Sequence, residues 1–375
     1  MPTTLSPLQT RAVLLHATGF GGPTPTSCRD LLDRLGVIQL DPLDRVGTNA
    51  DLVAFARLPE ARLGDVYRET AGHGFEHFAK ERCLIAPRFF AHYRAQGVET
   101  PWWRNSERML KLDEALLADV LAEVAERGPL TTRELSDRGK AEPMDWSGWK
   151  STSSRAALAA EVLWTRCALV VSGRKGRAER VYDLPERALG GWATGQPIGR
   201  FDEEMVVERV RAAGLLSRQS GPYWSILAAT RTDGTVERLL EAGRLTEVQV
   251  GKRRYLKLPG DVPTLPAVEA VVLGPLDALI WDRALVAEAF GFDYVWEVYK
   301  PAARRTYGYY VCPVLGMGED GMPGLIGRVE AVRERTTRAG SAEGGTLRVL
   351  KTWGDVPKSA LRRLARHNRA VLTPA

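Results

Sequence analysis

The sequence predicts a mainly helical α+β chain: helical units that each end in a basic hairpin, followed by a small antiparallel β domain. Three observations carry this. From Leu112 a regular helical pattern runs to Arg127 and stops at Gly128. Pro129–Leu135 then reads as a turn and a short helix, with Thr131 or Thr132 as N-cap and Glu134 near the third helical position. A further helix spans Ser154–Arg166, and after it come Leu169–Val171, a basic turn at Ser172–Arg177 and a strand at Arg180–Pro185. Second, the layout recurs. Phe201–Gly214, Ser225–Thr230 and Gly234–Ala242 read as helices, followed by Leu245–Val250, a tight Gly251-Lys252-Arg253-Arg254 and a strand ending at Leu258-Pro259. Third, Tyr294–Tyr299, Tyr307–Val314, Leu325–Val332 and Gly345–Leu350 are strand-like and spaced as in a small barrel or sandwich.

Three helices followed by a basic hairpin is the layout of a winged helix. The expected architecture is therefore tandem winged-helix domains plus a C-terminal antiparallel β-barrel. Residues 1–110 form an N-terminal winged-helix-like domain, 111–198 a second and 199–262 a third. Residues 263–375 form the barrel, with a basic terminal helix from Pro357 to Val371. In the first domain, helices are expected at Leu8–Thr18, Ser27–Leu35, Asp51–Arg57 and Arg62–Glu69, and Phe75–Ala95 is aromatic-rich and partly helical.

Composition narrows the class. The chain has 375 residues, 44% hydrophobic and 26% charged, which suits a soluble globular protein with an ample core. No apolar run approaches the roughly 18 residues of a membrane span, and the N-terminus carries no signal-peptide pattern. Cys28, Cys83, Cys167 and Cys312 lie far apart without a CxxC pair, which argues against a zinc ribbon or disulfide framework and for a reducing cytosol. Nothing reads as a coiled coil, so a monomer is expected. The net charge of +6 permits nucleic-acid binding, and its clustering matters more.

That clustering falls on the hairpins. The first carries Arg174, Lys175, Arg177 and Arg180, and the second Lys252, Arg253, Arg254 and Lys257. Cations there suit phosphate backbones, although hairpin turns are often charged simply because they are solvated. The terminal helix carries Lys358, Arg362, Arg363, Arg366 and Arg369, a DNA-facing or a merely solvated face.

One further stretch stands out, Leu35-Gly36-Val37-Ile38-Gln39-Leu40-Asp41. In an extended chain Gln39 and Asp41 project to one face, with Ile38 and Leu40 opposite, in the core. An amide beside a carboxylate can hold a water and stabilise a nearby cation. Spacing alone leaves a plainer reading open, in which Asp41-Pro42 ends a strand or begins a turn. His73-Gly74-Phe75-Glu76-His77 matches the H-x-x-E-H string of inverted zinc peptidases, but Gly72 and Gly74 weaken the helix that chemistry needs. Surface or packed histidines are the favoured reading, and neither a metal nor a cofactor is expected. No phosphate-binding glycine loop and no serine-nucleophile motif is present.

Taken in order, these segments resemble the AlkZ/YcaQ family of bacterial DNA glycosylases (AlkX-like, Q-x-D type). The resemblance spans nearly the whole chain. It is carried by Leu35–Asp41, Phe75–Cys83, Val181–Arg187, Pro275-Leu276-Asp277 with Trp281-Asp282-Arg283, Phe290–Tyr294, Glu297-Val298-Tyr299, Pro301 and Tyr307–Val311. It implies a monofunctional glycosylase that acts on duplex DNA, with Gln39 and Asp41 as the catalytic pair. The substrates would be N7-alkylguanine or N3-alkyladenine, including bulky adducts and interstrand crosslinks, and the product an abasic site. Glu76 and Lys80 are candidate supporting residues. Glu76 also reads as a helix-surface acid, and Lys80 keeps a lyase reaction open. Two departures are visible. Gly47-Thr48-Asn49-Ala50 stands where many members carry Arg-Ser-His, and Ala79-Lys80-Glu81 where YcaQ-like proteins have Ala-His-Glu. The resemblance implies a cytoplasmic, nucleoid-associated repair protein and leaves general repair and self-resistance both open. A non-enzymatic winged-helix regulator explains the basic hairpins but leaves Gln39 and Asp41 without a role.

Overall fold

The computed structural model describes residues 2–96, 112–141, 153–176, 179–335 and 345–373. The chain forms two compact units: Met1–Val66 with Lys80–Arg82 and Asp202–Ala375, and Tyr67–Ala79 with Cys83–Phe201.

The larger unit begins with helices Pro7–Ala17, Cys28–Leu35 and Asn49–Arg57. Each starts where a side chain satisfies the open N–H groups of its first turn: Ser6 with Gln9, Ser27 on Asp30, and Thr48 with Asp51. Gly36 ends the second helix at φ 75°, a conformation that disfavours any other residue, and turns the chain into strand Val37–Gln39. All three residues of that strand are buried, so both of its faces are covered.

The Asn49–Arg57 helix is fastened at both ends. At its C-terminus the Arg57 guanidinium makes two parallel bonds to Asp277, 2.7 and 2.9 Å, and both side chains are fully buried. Arg57 also donates to Thr18 O (2.6 Å) and Val53 O (3.1 Å) and lies 4.2 Å from the Phe20 ring centre. At its N-terminus, Asn49 Nδ2 donates to Gln39 O (2.8 Å) while Asn49 Oδ1 accepts from Leu276 N (3.1 Å). Gly274 makes that approach feasible, since a Cβ there would sit 2.4 Å from Asn49 Oδ1.

Two sheets complete this unit. Hairpin Thr246–Val250 and Arg253–Lys257 is flanked by Leu216–Ser217, antiparallel to the second strand, and by Thr3–Thr4, parallel to the first. The other sheet has the order Val271–Val272, Val311–Met317, Pro323–Arg335, Gly345–Gly354, Ala370–Thr373. Its first three pairings are antiparallel, the last is parallel, and irregularities at Val314/Leu315 and Glu330/Ala331 bend it. The sheet curls as a half-barrel rather than the full barrel expected. Leu14, Leu15, Val248, Tyr255, Ile280, Leu285, Tyr294 and Leu315 share one core.

Two expected elements differ here. Tyr294–Tyr299 is not a strand, because the buried Glu297 carboxylate bends the chain onto the N–H groups of Thr306, Tyr307 and Gly308. The 225–230 segment is a series of turns, preceded by a single 3-10 turn at Pro222–Trp224. The terminal helix spans Lys358–His367 and leads into the parallel strand.

The smaller unit holds helix Glu114–Arg127, capped by Asp113, and helix Arg155–Thr165, capped by Ser154. Its hairpin, Val170–Lys175 and Glu179–Asp183, pairs with Leu130–Thr131 in the order 130–131, 179–183, 170–175. The short helix expected at 131–135 is a turn. Thr131 N does find the Glu134 carboxylate at 2.9 Å, as in a helix cap, but the preceding residues are held as a strand against Val181 and Tyr182. Strand Leu216–Ser217 pairs with the second strand of its own hairpin in the same way, so the repeat read from sequence is a repeat of topology. The partly helical reading of Phe75–Ala95 becomes strands Phe75–Ala79 and Glu81–Ile85 and helix Phe90–Gln96.

Arg57→Met leaves Asp277 buried without its cation. Equilibrium urea unfolding is expected to show a loss of about 3–5 kcal/mol, larger than for a Met substitution at exposed Arg362.

Candidate active site

Asp41 lies two residues beyond the end of strand Val37–Gln39. Its Oδ1 accepts the Leu43 N–H at 2.9 Å across Pro42, a turn closed by the carboxylate. The plainer reading of Asp41-Pro42 is thus realised, and it does not consume the carboxylate. Oδ2 makes no hydrogen bond among the described residues, and the side chain is half-buried. Burial pushes the Asp41 carboxyl above its usual value, against the opposing pull of the Leu43 N–H. Ile38 is in the core as expected, whereas Leu40 is half-buried, its N–H bonded to Arg82 O at 2.8 Å.

Gln39 is buried. Its side-chain oxygen accepts from Lys80 Nζ at 3.1 Å, and its backbone carbonyl accepts from Asn49. An ammonium can only donate, so Lys80 fixes which end of the amide it meets. Gln39 therefore presents its NH2 group away from Lys80, as a donor. Lys80 is itself buried, with Nζ 5.3 Å from the centre of the Trp281 ring. Beside it Glu81 adopts φ 61°, uncommon for a non-glycine residue, and bonds Ser225 Oγ at 3.1 Å.

The segment after Asp41 is tied to the curled sheet. Arg333 N donates to Arg45 O (2.8 Å) and the Arg333 guanidinium pairs with Asp44 (2.9 Å), which also accepts from Gly47 N (3.1 Å). Tyr310 belongs to this neighbourhood. Burial first, with the Asp41 carboxylate adding to it, holds its phenol protonated well above the usual range. Sequence reasoning missed Asn49 and Tyr310 as parts of the site. Only the position of Asn49 just after a helix cap hinted at the first, and the second depends on chain pairing from a distant segment.

The cations spread differently from expectation. In the smaller unit Arg174 pairs with Glu76 and lies 4.9 Å from the Tyr67 ring centre, Lys175 pairs with Glu134 at 2.7 Å, and Arg180 bonds Tyr182 Oη at 3.1 Å. Arg177 lies outside the described residues. In the larger unit Lys252 and Arg253 are exposed and Arg254 pairs with Glu247 at 3.3 Å. Lys257 does not present a charge to solvent. It is buried, its Nζ donates to Leu258 O and Gly260 O, and burial lowers its pKa. On the terminal helix Arg363 is likewise engaged, with Glu269 and Phe55 O, while Lys358, Arg362 and Arg366 are exposed.

The two supporting candidates separate. Lys80 meets Gln39. Glu76 belongs to the other unit and is buried, not on a helix surface. The zinc-peptidase string runs from a turn at His73 into strand Phe75–Ala79, so its histidines do not meet as on a helix. His77 is buried on Thr165 O at 3.1 Å, and burial lowers its pKa to about 4. Among the described residues no cluster of His, Cys, Asp and Glu is arranged to hold a metal ion. All four cysteines are buried, and no described helix is long and apolar enough to cross a membrane.

A family model described as "DNA glycosylase AlkZ-like" matches residues 32–371, which include Gln39 and Asp41. Among solved structures, the DNA glycosylase AlkZ of Streptomyces sahachiroi is similar over 100% of both chains, with a TM-score of 0.58 and 16% sequence identity. At that identity the likeness is one of fold.

The raised Asp41 pKa has a stability consequence. The ionised carboxylate is less favourable in the folded than in the unfolded chain. That penalty is absent below the unfolded pKa and develops as pH rises through the folded one. Asn at this position lacks the penalty and can still accept the Leu43 N–H. Thermal melts of Asp41→Asn are expected to match the parent near pH 4 and to lie level with it or above it near pH 8.

Proposed function

The chain belongs to the AlkZ-like DNA glycosylase family, and on that footing we propose that it hydrolyses the N-glycosidic bond of N7-alkylguanine or N3-alkyladenine in duplex DNA. The observations that support this reading are a half-buried Asp41 carboxylate with one oxygen engaged by the Leu43 N–H and, two residues earlier in the chain, a Gln39 amide whose orientation is fixed by Lys80.

Alkylation at these ring nitrogens makes the base cationic. Cleavage of the bond from C1′ to N9 sends its electron pair to the base, which leaves neutral, and an oxocarbenium-like sugar remains. No general acid is needed at the leaving group. Asp41 stabilises the developing positive charge and takes a proton as water attacks C1′. One carboxylate suffices where ordinary glycosides use two. Gln39 offers its NH2 to that water or to a sugar oxygen. The Lys80 ammonium, engaged with Gln39, orients it and makes no Schiff base in this reading, so the enzyme is monofunctional and leaves an abasic site. A crosslinked guanine is tethered to the opposite strand and cannot rotate freely into a pocket. An open cleft reached from the groove suits crosslink unhooking better than base flipping.

For DNA contact we read the two helix–strand–helix–hairpin repeats as winged-helix units within the domain boundaries given above. The exposed Lys252 and Arg253, with Arg254 beside them, are the cations best placed to meet phosphates. Lys175, Arg174 and Arg180 already have partners and would have to exchange them.

Duplexes carrying N7-methylguanine or a nitrogen-mustard crosslink, treated with enzyme and then alkali, test the reaction. Strand cleavage is expected, reduced about 10²- to 10⁴-fold in Asp41→Asn and unaffected by chelator. Absence of cleavage on both duplexes refutes the substrate assignment. Borohydride is expected to trap no enzyme–DNA adduct, and a trapped adduct lost in Lys80→Gln would establish a lyase. Replacing Lys252 and Arg253 by Ala is expected to weaken duplex binding and to reduce the salt dependence by about 2 units of log–log slope.

A further inference from the structure

Tyr299 is 86% exposed, the highest value among the large hydrophobic side chains of the described residues, on a loop that is otherwise tightly built. The Glu297 carboxylate, 3% exposed, closes that loop by accepting from Lys300 Nζ (2.8 Å) and from the N–H groups of Thr306 (3.1 Å), Tyr307 (2.7 Å) and Gly308 (3.3 Å). Burial opposes its ionisation, but these donors outweigh burial and hold the carboxyl down to about 2. Glu297 is therefore ionised throughout the neutral range, the form that accepts all four of these bonds. Arg305 reinforces it by donating to Lys300 O at 2.9 Å.

The exposed ring has a firm base. It meets Trp296 edge-on, centres 5.9 Å apart, and Trp296 meets the buried Tyr310 edge-on at 6.0 Å. This aromatic row leads to Tyr310, which precedes strand Val311–Met317. Arg305 lies 4.9 Å and Arg45 5.7 Å from the ring centre of the adjacent Tyr309, so the 41–45 segment is also in reach of this loop. Exposed Arg304, in the 3-10 turn Ala302–Arg304, adds a positive charge to the same loop.

A solvent-exposed aromatic on a well-bonded loop that also carries an exposed arginine has the chemistry to stack on nucleobases, since every base offers a π-face and a cation can meet a phosphate. Little order is lost on binding because the loop is already fixed. We propose that Tyr299 is a base-stacking residue: its ring stacks on a nucleobase beside the lesion, and Arg304 meets the adjacent phosphate. The inference rests on the family's DNA substrate and not on the role given to Asp41.

The test uses the full chain and a duplex containing a tetrahydrofuran abasic analogue, with 2-aminopurine as the neighbouring base. This duplex has no glycosidic bond to cut at the lesion, so the result is independent of the excision chemistry. Binding of the parent protein is expected to change 2-aminopurine fluorescence. Tyr299→Ala is expected to abolish that change and weaken affinity about five- to 150-fold, the range set by about 1–3 kcal/mol of stacking per base. Tyr299→Trp is expected to restore both, and Arg304→Ala to lower the salt slope by about 1. An unchanged melting temperature verifies that the exposed substitutions leave the fold intact. The proposal is overturned if Tyr299→Ala gives the parent's fluorescence response and affinity, or if Tyr299→Trp restores neither.

Discussion

The buried pair of Arg57 and Asp277 is the constraint on which the larger unit depends. Two charges with no solvent exposure are tolerable only with complete, well-directed bonding, and here a bidentate bridge is supplemented by carbonyls at Thr18 and Val53. The geometry fixes the distance between the first helices and the 274–280 segment. Asn49, at the other end of the same helix, transmits that fixity to Gln39 through one amide that both donates and accepts. The candidate catalytic strand is therefore positioned by polar bonds of defined length in addition to the core packing of Val37 and Ile38.

Around that frame the carboxylate is kept in a half-buried state. Deeper burial would hold Asp41 protonated at neutral pH, and full solvation would weaken its field on a developing sugar cation. The one bond at Oδ1 orients it and leaves Oδ2 open among the described residues. Under the proposed function, chemistry this sparse is adequate because an alkylated base is already a good leaving group. The proposed substrate class and the economy of the site explain each other.

Much of the fold was legible because caps and glycines announce it. Ser27 starts its helix, Gly128 stops its own, and both basic hairpins form where Gly and cations cluster. Misreadings share one cause, a distant partner overriding a local pattern. Thr131 and Glu134 formed the local bond of a helix cap, yet strand pairing with Val181 took the backbone. Tyr294–Tyr299 alternated like a strand, yet Glu297 folded the chain onto residues ten positions later. Within the site, Gln39 and Asp41 were visible as spacing, and Lys80 as part of a family pattern. The bond from Lys80 to Gln39 spans 41 residues and could not be read locally. Lys257 shows the same limit for charge, since it counts as a wing cation in sequence and serves as an internal cap in the structure.

The central claim is that an ionised Asp41 performs the water-delivery step. Single-turnover excision of N7-methylguanine, measured across pH, tests it most directly. The rate is expected to rise with pH to a plateau, with a single ionisation above the usual carboxylate range, as burial of Asp41 requires. Asp41→Asn should be slow and flat over the same range. A parent profile that is flat throughout, or an Asp41→Asn profile that keeps the same ionisation, would contradict the account.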